Sequence, residues 1–317
     1  ATWEGIKRYE SENGTIVAQY IKPIGETTAD YMQAADDLIT AGNQMIIAPG
    51  FKFDEAITKL QEQYPDIKFV MIDGQPEEVA ENTIAIYFAE HEAGFLAGIT
   101  AALETKTGKV GFIGGMKSES IEKFGYGYVA GVAYANKHFG TNAEVVDYLY
   151  NGTFTDVAGG QAQAGSMYDK GIDIIFTAAG RVGSGVITEA KTRAEAGDKV
   201  YVIGVDVDQY EDGIYNQETN ESVILTSALK RVDNASYTKI DEFINGTFTG
   251  GEVITMTAEV DGVGLPETNP NLTTETQETV NELLANIKAG NLVIPSTEAD
   301  VQSFLSEMGY QGAKINF

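Results

Sequence analysis

Short apolar runs alternate with amphipathic segments along almost the whole chain. Nearly continuous apolar character is typical of parallel strands covered on both faces. Such runs occur at Thr15–Ile21, Gln44–Ala48, Lys68–Ile72, Lys109–Ile113, Ile172–Phe176, Val200–Val205 and Ser222–Thr226. Helical periodicity predicts helices at Tyr31–Thr40, Asp54–Gln63, His91–Leu103, Ile121–Lys137, Gly159–Lys170, Gly185–Ala196 and Asp233–Ile244. This βαβα order predicts an α/β protein with open, doubly wound parallel sheets.

Both ends of the chain depart from this alternation. A helix is predicted over Ala1–Glu10, before the first strand, although a doubly wound lobe normally begins with a strand. We therefore expect that a strand is missing at this end or that another segment takes its place. Beyond Gly250 the pattern predicts a strand at Val253–Val260 and helices at Thr274–Lys288 and Glu298–Met308, without indicating their lobe.

The carboxyl ends of the predicted strands break into small or polar residues. These ends are Ala48-Pro49-Gly50, Asp73-Gly74, Gly114-Gly115, Ala178-Ala179-Gly180 and Asp206-Val207-Asp208. Open α/β sheets bind ligands at this edge, so five such ends predict two lobes whose ligand edges are opposed. We place the N-terminal lobe at residues 1–107 with a return segment near 231–250. The C-terminal lobe is placed at residues 108–230 with part of 251–317.

Composition narrows the range of functions. The net charge of the 317 residues is −26. It disfavours nucleic acids and anionic membranes but not a neutral ligand, and solubility alone would explain it. The chain has no cysteine and two histidines, which leaves no thiolate metal site and little scope for histidine-based catalysis. We therefore expect no metal, no cofactor and no enzymatic activity. No apolar run is long enough to span a bilayer.

Two acidic residues lie at the end of the strand Val200–Val205. Asp206 and Asp208 could hold a metal, act as an acid/base pair or accept hydrogen bonds from ligand hydroxyls. Further metal ligands and a nucleophile are not evident, whereas hydroxyl recognition needs neither. A structural capping role for one of the two stays open.

Several other positions are candidates with ordinary structural alternatives. Lys230 follows the run Ser222–Thr226, and its ordinary alternative is a solvated lysine. Asp73 closes the run Lys68–Ile72, and its ordinary alternative is a cap of the next turn. Phe154, in NGTFTD after a strand at Val145–Leu149, is a candidate stacking platform or a core contact.

Glycine-rich segments and the single tryptophan complete the candidates. Gly180 lies in AAGRVGSGV, which fits no phosphate-binding spacing and indicates a backbone contact to a neutral ligand or a tight turn. GYGYVAG at 125–131 lies inside a predicted helix and indicates close helix packing rather than cofactor binding. Trp3, the only tryptophan, is explained by core packing on this pattern alone.

Many short motifs now occur together in a fixed order. They are VMIDG, YFAEHEAGFLAG, KVGFIGGM, FGYGYVAGV, NGTFTDVAGGQAQA, FTAAGRVGSGVI, IGVDVDQ, LTSALKRV and IKAGNLVIPS. Together they resemble the basic membrane protein family, the purine-nucleoside-receptor type of substrate-binding lipoprotein of ABC transporters. The resemblance implies a type I periplasmic-binding-protein-like fold, with the ligand in a cleft between the lobes and sandwiched between aromatic rings.

The resemblance also assigns expected roles to six residues. Trp3 and Phe154 match the two aromatic residues, and Asp73 matches the carboxylate that binds the purine edge. Asp206 and Lys230 match the pair that holds the ribose hydroxyls, and Gly180 matches the glycine whose backbone lines the pocket. The family's first strand, with the SFN motif before the tryptophan, is absent from this sequence, and with it an asparagine that helps bind the base. Arg181 stands where small residues are common.

We therefore expect an extracytoplasmic protein that captures a purine nucleoside, such as adenosine, guanosine or inosine, for an ABC transporter permease. It is expected to be monomeric, to bind no nucleic acid and to be lipid-anchored at the cell membrane through an N-terminal segment not present in this chain. Another flat ligand such as riboflavin is the alternative in the same class. A regulator's ligand-sensing domain would need a helix-turn-helix before residue 1, and a nucleoside-processing enzyme would rest on the paired carboxylates alone.

Overall fold

A computed structural model describes residues 1–312 of the chain. The helices are α1 Thr2–Asn13, α2 Thr28–Thr40, α3 Asp54–Gln63, α4 Glu90–Glu104, α5 Glu119–Phe139, α6 Val157–Asp169, α7 Arg181–Glu195, α8 Val232–Ile244, α9 Thr274–Lys288 and α10 Glu298–Met308. The strands are β1 Met45–Pro49, β2 Lys68–Ile72, β3 Thr83–Phe88, β4 Lys109–Gly114, β5 Glu144–Tyr150, β6 Ile174–Ala178, β7 Tyr201–Asp206, β8 Ile214–Asn216, β9 Glu221–Ser222, β10 Ile224–Lys230, β11 Glu252–Met256 and β12 Val263–Gly264.

Most predicted elements are confirmed, and α3, α9, α10 and β2 have the predicted bounds. The predicted strand Thr15–Ile21 is wrong: no ladder partner lies beside this segment among the described residues. The strand predicted over Val253–Val260 is shorter, because its second half is a 3-10 turn at Ala258–Val260. β3 was not predicted from the sequence.

The chain folds into two compact units. The first comprises Ala1–Phe88 and Arg231–Met256, and the second comprises Ala89–Lys230 and the described residues from Thr257 onward. The chain therefore first passes from one unit to the other after Phe88, and not near residue 107 as expected. The segment 104–108 belongs to the second unit because Asp173 accepts hydrogen bonds from the Thr105 hydroxyl and from the N–H of Lys106, at 2.6 and 2.7 Å.

The first unit contains a four-stranded parallel sheet in the order β1-β2-β3-β11. Phe69 and Met71 of β2 pack into one cluster with residues of α2 and α3. Helix α8 also contacts β2; since successive side chains of a strand point to opposite faces, we assign α8 to the other face. Helix α1 packs on α8, and Arg8 lies over the ring of Tyr237 at 4.6 Å.

The second unit contains a six-stranded sheet in the order β12-β10-β7-β6-β4-β5, in which only the short β12 pairs antiparallel. Helices α6 and α7 contribute a buried cluster with Ile175 and Val202. Helices α4 and α5 pack through glycines: a Cβ at Gly98 would lie 2.1 Å from the carbonyl oxygen of Tyr128, and one at Gly127 would lie 2.0 Å from that of His91. The close helix packing predicted for GYGYVAG is therefore observed.

Candidate functional site

Two charged site candidates lie at neighbouring strand ends in the second unit. Asp206 is the last residue of β7 and Lys230 is the last residue of β10, so Lys230 does not follow its strand as the sequence suggested. The ladder between these strands pairs Asp206 with Leu229, the residue before Lys230. The register therefore brings a carboxylate and an ammonium group to one edge of the sheet.

Lys230 is held in place by a buried network. Its side chain is about one-tenth exposed; its Nζ lies 3.8 Å from Glu90 Oε1 and donates to the Ser120 hydroxyl at 3.5 Å. Ser120 in turn donates to Glu90 Oε1 at 2.6 Å. Glu90 is 2% exposed at the start of α4. A buried carboxylate thus offsets the lysine charge, and the solvated-lysine interpretation is wrong.

Asp73 and Asp206 share an uncommon backbone conformation. Their φ angles are +57° and +68°, in the left-handed region that side chains other than glycine rarely adopt. Among the described residues, the only other non-glycine residues with a positive φ angle are Asn220 and Asp261. Asp tolerates this region better than most residues because its side chain is short. Two aspartates at the carboxyl ends of β2 and β7 thus have a backbone conformation that departs from that of a strand. Backbone strain of this kind often accompanies ligand sites.

Asp208 has a structural contact rather than an open one. Its Oδ1 accepts a hydrogen bond from the N–H of Tyr210 at 3.0 Å, before a 3-10 turn at Glu211–Gly213. This is the local turn contact that short acidic side chains commonly make. Of the two acidic candidates after β7, Asp208 therefore takes the capping role that the sequence left open.

Phe154 and Gly180 are in contact. The carbonyl oxygen of Phe154 accepts from the N–H of Arg181 at 2.9 Å, and a Cβ at Gly180 would lie 3.4 Å from that oxygen. Gly180 has φ +56° and ψ −128° and directly precedes α7, a conformation that suits glycine. The Phe154 ring is half-buried over Gly115, where an added Cβ would lie 2.4 Å from two ring carbons. Gly115 therefore gives the ring its place at the end of β4.

In the first unit, Asp73 directly follows β2, and its N–H donates to the carbonyl oxygen of Ile86 at 2.9 Å. The next residue, Gly74, leaves no room for a side chain, since a Cβ there would lie 2.4 Å from Asp54 Oδ1. Burial raises the pKa of Asp54 to about 6, and a hydrogen bond from the backbone of Gln75 partly opposes that rise. Asp54 thus stabilises the Asp73–Gln75 turn by its contact with Gly74 and its hydrogen bond with the Gln75 backbone.

Trp3 is half-buried in α1, with its ring centroid 5.8 Å from that of Tyr20. It lines a cavity of about 550 Å³ within the first unit. Asp73 is not among the residues that line this cavity.

Sequence reasoning missed Glu90, Ser120 and Asp54 as supporting residues, whereas Gly115 was among the strand ends expected at the ligand edge. Of the three missed residues, Glu90 carried a usable signal, as an acidic residue two positions after the apolar run that forms β3. Within residues 1–312 no cluster of His, Asp and Glu side chains suits a metal ion. The arrangement offers acceptors, one cation and an aromatic face, which suits binding of a flat, hydroxylated molecule.

Comparison with known proteins identifies the family of this chain. The family model described as ABC transporter substrate-binding protein PnrA-like matches residues 1–298. The chain is 33% identical over 303 residues to the ABC transporter nucleoside-binding protein BmpA of Lactococcus lactis, with 93% of this chain and 84% of that protein covered. It is 34% identical over 285 residues to basic membrane protein B of Borreliella burgdorferi, with 88% and 77% covered.

The fold is also similar to that of solved ABC transporter solute-binding proteins. A crystal structure of an ABC transporter solute-binding protein from Aeropyrum pernix superposes with a TM-score of 0.76 at 25% identity, covering 97% of this chain and 92% of that one. No helix in the described part of the chain has the length and hydropathy needed to cross a membrane. The chain belongs to the PnrA-like family of ABC transporter substrate-binding proteins, and it is therefore a solute-binding protein rather than an enzyme, working outside the cytoplasm with a permease.

Proposed function

We propose that the solute is a purine nucleoside such as adenosine, guanosine or inosine. In the second unit, Asp206 and Lys230 would bind the ribose hydroxyls, Phe154 would stack on the base, and the Gly180 backbone would line the site. In the first unit, Asp73 would accept hydrogen bonds from the purine edge and Trp3 would supply a second aromatic face.

The observation that carries this proposal is the register that pairs Asp206 with Leu229, next to Lys230. A carboxylate only accepts and an ammonium only donates. Adjacent hydroxyls of a ribose can satisfy both at once, each hydroxyl donating to the carboxylate or accepting from the lysine. Charge-assisted hydrogen bonds of this kind are shorter and stronger than neutral ones.

The aromatic contribution depends on Phe154. Its ring is held over Gly115 by a loop in which the N–H of Asn151 donates to the carbonyl oxygen of Gly114, and that of Gly152 to Gly115, both at 2.8 Å. A ring fixed in this way loses little freedom when a base stacks on it. Stacking on an aromatic side chain contributes roughly 1–3 kcal/mol.

The printed name of the Lactococcus lactis relative also supports a nucleoside. A net charge of −26 favours a neutral nucleoside over a nucleotide, whose phosphate it would repel. We further propose that the protein acts as a monomer anchored by a lipid.

A thermal scan with candidate solutes tests the ligand class. Adenosine, guanosine or inosine at 100 times its dissociation constant is expected to stabilise the protein by about 2.7 kcal/mol. Ribose, amino acids and nucleoside monophosphates at equal concentration are expected to leave the midpoint unchanged. If none of the three nucleosides moves the midpoint, the proposal fails. A shift with riboflavin alone would favour the other flat ligand.

A further inference from the structure

Arg181 is the first residue of α7 and lies at the ligand edge of the second sheet. It closely follows β6, which lies between β7 and β4 in the strand order. β7 ends at Asp206, and the Phe154 ring lies over Gly115, directly after β4. The strand order therefore places Arg181 between the carboxylate proposed for the ribose and the ring proposed for the base.

The guanidinium group of Arg181 differs from those of the other arginines in its lack of a partner. The chain has four arginines and 47 acidic residues. Arg8, Arg193 and Arg231 each lie within 3.4 Å of an Asp or Glu oxygen. The side chain of Arg181 is exposed, and within residues 1–312 its guanidinium makes no hydrogen bond, ion pair or ring contact. All the N–H donors of this group are therefore available to a ligand.

The stability of α7 does not explain an arginine at this position. The first turn of a helix has a partial positive charge, which a cation there opposes. Arg181 occupies the first position of α7, and no acidic residue lies in this turn to offset its charge. The arginine therefore does not stabilise α7.

The start of α7 is closed to a phosphate group. The N–H groups of Arg181, Val182 and Gly183 donate to carbonyl oxygens of the protein at 2.9, 3.2 and 3.0 Å. A helix end binds anions through N–H groups of this kind, and here they are already engaged. The net charge of −26 also repels an anion. An uncharged acceptor of the ligand is the partner that remains for the guanidinium.

We propose that Arg181 makes the site selective for 6-oxopurine nucleosides, guanosine and inosine, over adenosine; this inference rests on the proposed function. A guanidinium group only donates, and two of its N–H groups match two adjacent acceptors. Guanine and hypoxanthine have such a pair in O6 and N7, whereas adenine has an amino donor beside N7. Arg181 donates to O6 and N7 of the base that stacks on Phe154.

Calorimetric titration with guanosine, inosine, adenosine, 7-deazaguanosine and guanosine monophosphate tests this selectivity. 7-Deazaguanosine lacks only the N7 acceptor of guanosine. The unaltered protein is expected to bind guanosine and inosine about five- to a hundredfold more tightly than adenosine, which is the discrimination given by one bidentate pair. It is expected to bind 7-deazaguanosine more weakly than guanosine, because one of the two hydrogen bonds is lost.

Arg181→Gln removes the guanidinium group, and Lys199→Gln is its matched control. Lys199 is also exposed, but it precedes β7 and so lies at the opposite edge of the same sheet. Arg181→Gln is expected to weaken guanosine and inosine about five- to a hundredfold, to affect adenosine much less, and to bind guanosine and 7-deazaguanosine equally. Lys199→Gln is expected to change none of these affinities. Both variants are expected to keep the melting temperature of the unliganded protein.

An unchanged preference for guanosine over adenosine in Arg181→Gln would overturn the inference, and so would an equal loss of guanosine affinity in Lys199→Gln. Equal binding of guanosine and 7-deazaguanosine by the unaltered protein would overturn it without any variant, since N7 would then have no donor. These three outcomes leave the proposed function intact. Tighter binding of guanosine monophosphate than of guanosine, or no binding of any purine nucleoside, would overturn the proposed function together with the inference.

Discussion

Asp73 and Asp206 adopt left-handed backbone at the ends of β2 and β7, and this decides which substitutions can test their roles. Alanine keeps the Cβ but lacks the short polar side chain whose local hydrogen bonds make this region accessible, whereas asparagine retains such a side chain. Substitution by asparagine is therefore the way to remove the charge of either aspartate without changing its backbone conformation. The same reasoning separates a ligand role from a purely conformational one.

Asp206→Asn is expected to weaken guanosine binding by roughly 1–3 kcal/mol, the effect of a lost charged hydrogen bond, and to spare binding of free guanine. Phe154→Ala removes the stacking face and is expected to weaken both ligands by roughly 1–3 kcal/mol. Calorimetric titration with guanosine and guanine distinguishes the two patterns. Unchanged guanosine affinity in Asp206→Asn would remove the ribose role from that residue.

Glu90 is expected to act on the ligand through Lys230. Glu90→Gln keeps an acceptor for Ser120 but removes the charge beside the lysine Nζ. We expect guanosine affinity to fall by roughly 1–2 kcal/mol, because the Lys230 ammonium loses the carboxylate that offsets its charge. Guanine affinity is expected to stay the same. A parallel loss for guanosine and guanine would identify Glu90 as a residue of general structural importance only.

At the scale of elements, helices α4 and α5 pack closely at four glycines. Gly94 and Gly98 of α4 and Gly127 and Gly131 of α5 each lack room for a Cβ, because the partner helix backbone would lie within 2.3 Å of it. Backbone atoms cannot rotate away as side chains can, so any larger residue must push the helices apart. The pair positions Glu90 and Ser120, which begin on these two helices.

Gly98→Ala is expected to destabilise the protein by roughly 2–4 kcal/mol, measured by urea unfolding. Gly165→Ala in α6 is the matched control, since its Cβ would lie 3.3 Å from the carboxylate end of Glu189, which can move. Alanine is also the better helix former by about 1 kcal/mol, so the control is expected to be neutral or stabilising. Similar losses in both variants would contradict this account of the packing.

For the molecule as a whole, the sequence predicted the order of elements but not the contacts that complete them. Burial patterns are local, and β2 and α9 were therefore predicted residue by residue. Thr15–Ile21 has the same apolar pattern, but a strand also needs a neighbour, which no local pattern reports. The Lys230–Ser120 contact joins residues 110 positions apart, so the supporting network around a correctly chosen lysine could not be derived.

The pH dependence of unfolding also belongs to the whole molecule, because it sums protons over all groups. Burial, with a smaller effect from Lys123, lowers the pKa of His91 from 6.5 to about 4. Between pH 6.5 and 4 the unfolded chain then binds the extra proton, so stability is lost as pH falls through this window. Asp54, with its pKa raised to about 6, has the opposite sign, but it is partly exposed and its effect is smaller.

His91→Gln is expected to remove the His91 contribution, which is at most about 3 kcal/mol across the window. Urea unfolding of both proteins at pH 7 and pH 4 measures it as a difference in slope, so a constant cost of the substitution cancels. Parallel pH profiles of the two proteins would show that His91 is not the group responsible.

The interleaving of the two units along the chain has a consequence for biosynthesis. A ribosome releases residues in order, and the five strands from β4 to β10 that build most of the second sheet are available once Lys230 has emerged. The first sheet must wait for β11, which ends at Met256, and for α8 before it. The unit that begins at the N-terminus therefore receives its fourth strand only after most of the second sheet is available, and until then β3 presents an uncovered edge.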